Sequence, residues 1–239
     1  MDYFNILQEA CQDIGLEFTK EKYEQFMLYK DLIKEWNQKV NLTSIKEDEE
    51  IIKKHFIDSI KIFKFEGLKD AKKVIDIGTG GGFPGIPMKI VNPKCEMVLL
   101  DSLNKRVNFL NIVIKELKLD NISTIHGRAE DFALNPEYRE QFDCVVSRAV
   151  ANMSVLSELC LPYVNLGKHF IPLKGPAVEE ELEESKRALD ILGGNVEKVI
   201  PVQIENSDLE HNLVIVKKIK HTPKQYPRKA GTANKKPLK

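Results

Sequence analysis

Apolar residues recur every three to four positions through the first 65 residues, which is the spacing of amphipathic helices. The first stripe ends at Gly15, and Thr19 can cap the helix that follows. A further stripe runs through residues 49–65. The apolar positions of the three stripes are Phe4, Leu7, Cys11, Ile14, Tyr23, Phe26, Leu32, Ile33, Trp36, Ile51, Ile52, Phe56, Ile60 and Phe63. The sequence therefore predicts a helical N-terminal extension over residues 1–65.

From Lys73 onwards, short buried apolar runs alternate with helical stripes. The predicted strands are Val74–Ile77, Met97–Leu100, Ile122–His126, Phe142–Ser147 and His169–Leu173. The predicted helices are Ile86–Val91, Leu103–Leu117, Met153–Val164 and Val178–Leu192. Such alternation indicates an α/β fold with a parallel sheet covered on both faces.

Two last strands, Val196–Ile204 and Asn212–Ile219, have no helix between them. They predict an antiparallel hairpin at the edge of a mostly parallel, seven-stranded sheet. We assign residues 66–220 to this sheet domain.

Charge is distributed unevenly along the chain, although 36 basic and 36 acidic residues cancel. Lys217–Lys239 holds nine Lys or Arg and no acid, so the rest of the chain has a net charge of −9. Residues Thr222–Lys239 contain three prolines and no apolar period, which predicts an extended basic tail over residues 221–239. A basic tail on an acidic body suggests a polyanionic partner such as nucleic acid.

Composition excludes several other classes of protein. No run approaches the ~20 apolar residues of a membrane span, and the acidic N-terminus is unlike a signal peptide. Four scattered cysteines without a CxxC pair indicate reduced thiols and a cytoplasmic protein. We find no HExxH motif or Cys/His cluster, and we expect no metal site.

A glycine-rich turn carries the densest chemical signal. Predicted strand Val74–Ile77 runs into Gly78-Thr-Gly-Gly-Gly-Phe-Pro-Gly85, and a helix follows. Glycines let the backbone approach a ligand closely, and the start of the helix offers unpaired N–H groups. Dinucleotide-binding enzymes use similar loops, so a nicotinamide-dependent dehydrogenase is one interpretation.

Features around this loop favour S-adenosylmethionine instead. Asp76 precedes Gly78 by two residues and could meet the methionyl ammonium. The dinucleotide-binding fingerprint is Gly-x-Gly-x-x-Gly. If its first glycine is Gly78, Phe83 stands at the position of the third glycine; if its first glycine is Gly80, the sequence fits the fingerprint. Asp101 ends the second strand and could accept hydrogen bonds from both ribose hydroxyls, a role that dehydrogenases share.

Three later positions extend the predicted pocket. Ala129 and Glu130 follow the third strand and could recognise the adenine edge, or Glu130 could be an ordinary acid at a helix start. Arg148 ends the fourth strand, where ligands bind in open α/β sheets, or it forms a structural salt bridge. Lys174 ends the fifth strand and could meet an RNA phosphate or the guanine O6 edge, or it is simply solvated.

The order of these motifs closely resembles the small-subunit ribosomal RNA guanine-N7 methyltransferase family, over nearly the whole chain. The motifs that carry the resemblance are Trp36-Asn37, Asn41-Leu-Thr-Ser44, His55-Phe56, Asp58-Ser59, Asp76-Ile-Gly-Thr-Gly-Gly-Gly-Phe-Pro-Gly85, Asp101-Ser102, Lys105-Arg106, Arg128-Ala-Glu130, Ser147-Arg-Ala-Val150, Leu173-Lys-Gly175 and Tyr226-Pro-Arg-Lys-Ala-Gly231. Members often carry Ala-Gly-Ala-Gly or a similar run inside the loop, where this chain has Gly78-Thr-Gly-Gly-Gly82.

The resemblance implies a class I Rossmann-like methyltransferase fold with a helical extension and S-adenosylmethionine as cofactor. It implies methylation of N7 of a guanine in the 530-loop region of 16S ribosomal RNA, so the expected partner is that RNA or the small ribosomal subunit. The family's cofactor positions correspond here to Gly78, Phe83, Ala129, Glu130 and Arg148. Together with the positions considered above, the predicted cofactor site is Asp76, Gly78, Gly80, Phe83, Asp101, Ser102, Ala129, Glu130 and Arg148, and the predicted catalytic residues are Arg148 and Lys174.

The chemistry agrees with this interpretation. Guanine N7 carries a lone pair and no proton, so methyl transfer is a direct displacement that requires positioning but no general base. The Asn/Asp-Pro-Pro-aromatic segment of amino-group methylation is replaced by Ser147-Arg148-Ala149. Cys144 and Cys160 are in a predicted strand and helix, unsuited to act as the nucleophile of C5 methylation.

Three questions stay open at this stage. The alternative enzyme is a ribose 2′-O-methyltransferase that uses Lys174 to activate the hydroxyl. A non-catalytic RNA-binding protein would explain the tail alone. His55 and Asp58 lie one helical turn apart and could cap the pocket or merely pair on a helix surface.

Overall fold

A computed structural model describes residues 2–148, 151–204, 207 and 209–238. Its N-terminal part is helical, as predicted. Asp2 caps the first helix by accepting from the backbone N–H of Phe4, and Thr19 caps the second by accepting from Lys22. The helical elements are α1 Tyr3–Asp13, α2 Lys20–Asn37, α3 Asp48–Ile51, a π-helix Ile52–Ile57, α4 Asp58–Ile60, and 3₁₀ turns at Lys61–Lys64 and Glu66–Leu68.

The sheet confirms the predicted fold class. Seven strands lie in the order β3-β2-β1-β4-β5-β7-β6, with β1 to β5 parallel and β6 and β7 antiparallel at one edge. Their bounds are β1 Lys73–Ile77, β2 Glu96–Asp101, β3 Ile122–His126, β4 Phe142–Arg148, β5 Val164–Lys174, β6 Gly194–Gln203 and β7 Glu210–Lys218. The later helices are α5 Gly85–Val91, α6 Asn104–Glu116, α7 Ala129–Phe132, α8 Met153–Cys160, α9 Val178–Leu192 and α10 Thr232–Lys235, with a 3₁₀ turn at Leu161–Tyr163.

The order of the strands creates a crevice beside β1. Strand β1 pairs with β2 on one side and with β4 on the other, so the direction of winding reverses there. Open α/β sheets bind ligands at the carboxyl ends of the strands beside such a switch point. The glycine turn after β1 and Arg148 at the end of β4 therefore flank the expected ligand position.

Each face of the sheet has its own apolar layer. The N-terminal helices contribute Phe26, Tyr29 and Phe56 to the layer that contains Val74 of β1. On the opposite face, Ile75 and Ile77 of β1 pack with residues of α8 and α9. The helical extension thus covers one face of the sheet, because apolar side chains alternate between the two faces of a strand.

One boundary differs clearly from the sequence prediction. The predicted helix Met153–Val164 ends at Cys160, and β5 starts at Val164, five residues before the predicted strand. Pro162 has no backbone N–H and stands in a 3₁₀ turn. Val164 then pairs with Phe142 of β4, a contact that local periodicity cannot reveal.

The C-terminal residues correct the prediction of an extended tail. Arg139 donates from Nη1 to the carbonyl of Tyr226 (2.9 Å) and from Nη2 to that of Thr222 (2.7 Å). Tyr226 and Ala233 are buried, and α10 is a short helix. Side chains far away in the sequence hold the C-terminal segment against the sheet domain. The segment is therefore ordered although it has no apolar period of its own. Lys239 lies outside the described residues.

Among the described residues, no helix has both the length and the apolar character needed to cross a lipid bilayer.

Candidate active site

A cavity of about 280 Å³ opens at the carboxyl ends of β1, β2 and β3. It brings together five of the predicted cofactor residues: Gly78, Asp101, Ser102, Ala129 and Glu130. The other lining residues are Ile77, Leu100, Arg106, Gly127, Arg128, Leu159 and Asn234. Of these, Arg106 and Arg128 belong to motifs quoted above, but no role was predicted for them from the sequence. Asn234 was not predicted, because no motif or pattern in the C-terminal residues indicates a ligand contact there.

Asp101 ties the glycine turn to the second strand. Its carboxylate is almost fully buried, and Oδ2 accepts from the backbone N–H of Gly80 at 2.8 Å. Oδ1 accepts from the N–H of Leu103 at 2.9 Å, and Nη1 of Arg106 lies 3.6 Å from Oδ2. The predicted pocket residues Gly80 and Asp101 are therefore in direct contact, with the carboxylate oriented from both sides.

Asp76 lies beneath the turn, fully buried, and is not part of the cavity lining. Its Oδ2 accepts from Oγ1 of Thr79 (2.7 Å) and from the N–H of Gly85 (2.9 Å). Oδ1 has no hydrogen-bond partner among the described residues. Burial raises the pKa of Asp76 to about 7, against the opposing effect of these two hydrogen bonds. The charge of Arg148 lowers that pKa and the charge of Asp101 raises it, so the pKa of Asp76 depends on charged groups on both sides of the crevice.

The turn is also fixed to the N-terminal helices. Tyr29 of α2 donates its hydroxyl to the carbonyl of Gly81. Gly82 has a φ of +101°, and a Cβ built there would lie 2.6 Å from the Tyr29 hydroxyl oxygen. Phe83 packs between helix and sheet, with its ring 4.4 Å from the His55 ring. Phe83, a predicted cofactor residue, thus packs against the N-terminal helices and does not line the cavity.

Arg148 forms a salt bridge, one of its two sequence interpretations, within a polar cluster whose members the sequence did not identify. Its Nη1 donates to Oδ2 of Asp58 (2.8 Å) and to the carbonyl of Lys54 (3.1 Å). Its Nη2 lies 3.0 Å from Nδ1 of His55, and its guanidinium carbon lies 4.9 Å from the Phe83 ring centre. The guanidinium is mostly buried, and these bonds use three of its five N–H donors.

His55 is kept neutral in this cluster. Burial, and then Arg148, lower its pKa from 6.5 to about 3. Arginine can only donate, so Nδ1 of His55 must accept and Nε2 must carry the hydrogen. Nε2 lies 2.6 Å from Oγ1 of Thr43 and donates to it, while that oxygen also accepts from the N–H of Ile45 at 3.0 Å.

Asp58 joins Arg148 to a third chain segment. It is fully buried, and its Oδ1 lies 2.6 Å from Nδ1 of His211 on β7. His55 and Asp58 therefore converge on Arg148, an arrangement that neither of the two sequence interpretations described. Their backbone is the π-helix Ile52–Ile57 and the start of α4, and π-helical turns are frequent at functional sites. No local signal singled out His211.

Lys174 lies one strand beyond Arg148, since Arg148 pairs with Leu173. Its Nζ lies 2.6 Å from Oε2 of Glu181 and donates to the carbonyl of Ala151 at 2.9 Å. It is nearly buried and is not part of the cavity lining. Ala149 and Val150 of the quoted motif lie outside the described residues.

Glu130 contacts the C-terminal segment. Its Oε1 accepts from the backbone N–H of Gly231 at 2.8 Å, while the side chain is largely buried at the cavity wall. The carbonyl of Ala129 accepts from the Tyr163 hydroxyl at 2.6 Å, which positions the segment after β3.

The four cysteines are free and buried, and burial raises the pKa values of all four thiols. Such thiols are poor nucleophiles. Within the described ranges, no three His, Cys, Asp or Glu side chains come together as metal ligands would.

A seven-stranded sheet of this order, with a glycine turn and an acidic residue at the ends of β1 and β2, is a Rossmann-like fold. Solved structures share the fold. A cofactor-bound protein, Rv0187 from MTB, superposes with a TM-score of 0.56 at 15% identity, covering 88% of this chain and 96% of that one. An O-methyltransferase from Bacillus cereus in complex with SAH gives 0.55 at 14% identity, covering 88% and 97%.

Sequence relatives identify the family. The chain belongs to the family described as rRNA small subunit methyltransferase G, which matches residues 22–214. A protein named ribosomal RNA small subunit methyltransferase G from Clostridium novyi is 64% identical over 99% of this chain and 97% of its own length. One of the same name from Clostridium tetani is 60% identical over the full length of both. Family membership confirms the resemblance and the predicted cofactor, S-adenosylmethionine.

Proposed function

We propose that this protein methylates N7 of a guanine in the 530-loop region of 16S ribosomal RNA, using S-adenosylmethionine. The observation that carries the proposal is the pairing of two sites across the crevice beside β1. A cavity with a glycine turn and two carboxylates lies on one side, and a rigidly held arginine lies on the other. The names of full-length relatives support ribosomal RNA as the substrate class.

The cavity residues suit the cofactor. Asp101, at the end of β2, can accept from the ribose hydroxyls, and Ala129 and Glu130 line the same cavity and can contact the adenine edge. Gly78 allows a close approach of the ligand because it has no Cβ and a φ of +71°. Bound here, the cofactor supplies an electrophilic methyl group. Asp76, beneath the turn, has a free buried oxygen that suits a ligand ammonium, and its other oxygen shapes the turn itself.

Arg148 then serves to orient the reactants. Two of its N–H donors are not used by the described contacts and can bind a cofactor carboxylate or the guanine O6. Its ion pair with Asp58 compensates the guanidinium charge, which matters because methylation at N7 creates a cationic purine. This site therefore needs positioning and charge balance and no general base.

Lys174 is proposed to contact an RNA phosphate. Its Nζ is held between Oε2 of Glu181 and the carbonyl of Ala151. These contacts argue against the ribose 2′-O-methyltransferase alternative, in which the Lys174 amine would have to reach the ribose hydroxyl. The same pair also orients the side chain at the end of β5.

Transfer of labelled methyl groups to small-subunit RNA, naked and assembled, tests the proposal. We expect the label at one guanine in the 530-loop region, and strand scission at that base after borohydride and aniline treatment, which is characteristic of N7-methylguanine. Label in a ribose, in an exocyclic amine or in no RNA at all would overturn it.

A further inference from the structure

The C-terminal segment forms part of the wall of the cofactor cavity. Asn234 of α10 lines the cavity together with Glu130 and Leu159. Three residues earlier, the N–H of Gly231 is bonded to Glu130. A segment first expected to be a separate tail therefore meets the cavity at two points.

This segment is anchored independently of any ligand. Arg228 donates from Nε (2.9 Å) and its backbone N–H (2.8 Å) to Oε1 of Glu158, a carboxylate that is 1% exposed. Arg139 holds the carbonyls of Thr222 and Tyr226. Charge-assisted bonds to a buried partner fix a segment more firmly than exposed ion pairs do. The position of α10 is therefore fixed by contacts within the chain itself.

The anchoring places Asn234 at the mouth of the cavity. Its neighbour Ala233 is buried, and α10 packs on α8, the helix that contributes Leu159 to the same cavity. Asn234 itself is exposed. Since Asp101 marks the ribose position, the side of the cavity formed by Glu130, Leu159 and Asn234 is the side that the adenine ring would occupy.

We propose that Asn234 is a cofactor-binding residue that reads the adenine edge, so that the C-terminal segment completes the cofactor site. A primary amide offers both donors and an acceptor, which matches the amino donor and ring-nitrogen acceptors of adenine. The proposal rests on the placement of the cofactor in this cavity. It gives the basic C-terminal segment a contact with the cofactor, in addition to the contact with RNA that its charge suggests.

Calorimetry with S-adenosylhomocysteine measures the contribution of Asn234 without turnover. We expect Asn234→Ala to raise the dissociation constant roughly tenfold, the effect of one or two lost hydrogen bonds. Lys235→Ala, an exposed change in the same helix, should leave the constant within about twofold, on the same scale. Equal affinities of the Asn234→Ala variant and the unchanged protein would overturn the proposal.

The base itself provides a second, more specific test. An S-adenosylhomocysteine analogue with unsubstituted purine in place of adenine lacks the amino donor and has no polar group in its position, so a flipped amide cannot recover the lost hydrogen bond. The unchanged protein should prefer the adenine compound, and Asn234→Ala should lose most of that preference. If the preference survives in full, Asn234 does not read the base, even if its loss weakens binding.

Two further variants separate this inference from the placement of the cofactor. Asp101→Ala should abolish tight binding if the cavity is the cofactor site; if it has no effect, the placement itself is wrong. Truncation after Gly231 removes α10 but keeps the Arg228–Glu158 pair and the Gly231–Glu130 bond. In a protein that melts normally, this truncation should weaken binding as much as Asn234→Ala does, and unchanged binding would contradict a role for α10.

Discussion

At the scale of single residues, the contacts of Arg148 show how a buried guanidinium can be stabilised and still keep N–H donors for a ligand. Asp58 compensates the guanidinium, and His55 accepts one of its N–H bonds while remaining neutral. An unpaired buried arginine would cost several kcal/mol, whereas this one is paired and still has donors to spare. Asp58 and His55 are therefore positioning residues for the proposed reaction.

Replacing Arg148 should separate its proposed role from a purely structural one. We expect Arg148→Ala to reduce methyl transfer to RNA by roughly a hundredfold, the usual effect of losing one preorganised donor at a reacting centre. Arg187→Ala, at an exposed position on α9, is the matched control and should leave the rate unchanged. Full turnover by a folded Arg148→Ala protein would reduce Arg148 to a structural salt bridge.

The neutral state of His55 predicts a pH dependence of stability. The unfolded chain takes up a proton near pH 6.5, but the folded protein does so only near pH 3. The stability contribution is therefore complete above pH 6.5 and is lost as the pH falls towards 3. Between pH 7 and pH 5 this single group should lower the free energy of unfolding by about 2 kcal/mol.

Urea unfolding at several pH values checks this expectation. His55→Gln keeps an acceptor for Arg148 but cannot titrate, so its stability should fall less steeply with decreasing pH. His126→Gln, which removes an exposed histidine, should retain the slope of the unchanged protein. Identical slopes for the His55→Gln variant and the unchanged protein would disprove the assignment.

At the scale of elements, the glycine turn depends on the helix that covers it. Gly82 faces the Tyr29 hydroxyl of α2 and the Ile86 side chain of α5, with no room for a Cβ. The carbonyl of the preceding residue accepts from the same hydroxyl. The N-terminal extension thus helps to shape the turn at the active site as well as covering the sheet.

Two glycine substitutions measure this dependence. Gly82→Ala combines a left-handed backbone with steric overlap and should cost about 2–5 kcal/mol in the free energy of unfolding. Gly167→Ala has a φ of +80° but meets no atom within 4 Å, so it should cost only about 1–2 kcal/mol. If both substitutions lower the free energy of unfolding equally, Tyr29 and its neighbours move to accommodate the added methyl group, and the conformation of the turn is not fixed by them.

At the scale of the whole molecule, part of the positive charge of the C-terminal segment lies near the proposed cofactor cavity. Arg228, Lys229, Lys235 and Lys236 stand beside the residues that contact Glu158, Glu130 and the cavity, whereas Lys217 and Lys218 end β7 beside the amino end of β5. Arg106 and Arg128 line the cavity itself. RNA that approaches an otherwise acidic body should therefore be attracted to the cavity end of the sheet.

Neutralising the exposed lysines of this segment tests that expectation. We predict that changing Lys224, Lys229, Lys235 and Lys236 together to Gln weakens binding of a 530-loop RNA fragment. The slope of log affinity against log salt should flatten by roughly 0.7 per lost phosphate contact on single strands, or about 3 for four contacts. Fluorescence anisotropy over a range of salt concentrations gives the slope.

A charge-matched control makes the measurement specific. The body lysines Lys20, Lys115, Lys118 and Lys186 are also exposed, and their change to Gln alters the net charge equally. If the control variant loses as much affinity and slope as the C-terminal one, attraction depends on net charge alone and the segment has no particular role.

The sequence by itself determined the sheet and the position of the glycine turn. Apolar periodicity is local, so the five parallel strands and the edge hairpin could be predicted from neighbouring residues. The turn after β1 could be found for the same reason, since glycines, strand and helix are contiguous. Gly78, Asp101, Ser102, Ala129 and Glu130 were predicted together, because parallel strands bring their carboxyl ends to one edge.

Only the tertiary structure decided how Arg148 is held and where the C-terminal residues lie. Arg148 meets Asp58 across 90 positions of sequence, and Asp58 meets His211 across 153. Arg228 reaches Glu158 across 70 positions, and Gly231 reaches Glu130 across 101. Single polar contacts at such separations leave no periodic trace in a sequence, because each partner alone looks like an ordinary surface residue. Their effect arises only when folding buries them together and removes the water that would otherwise satisfy them.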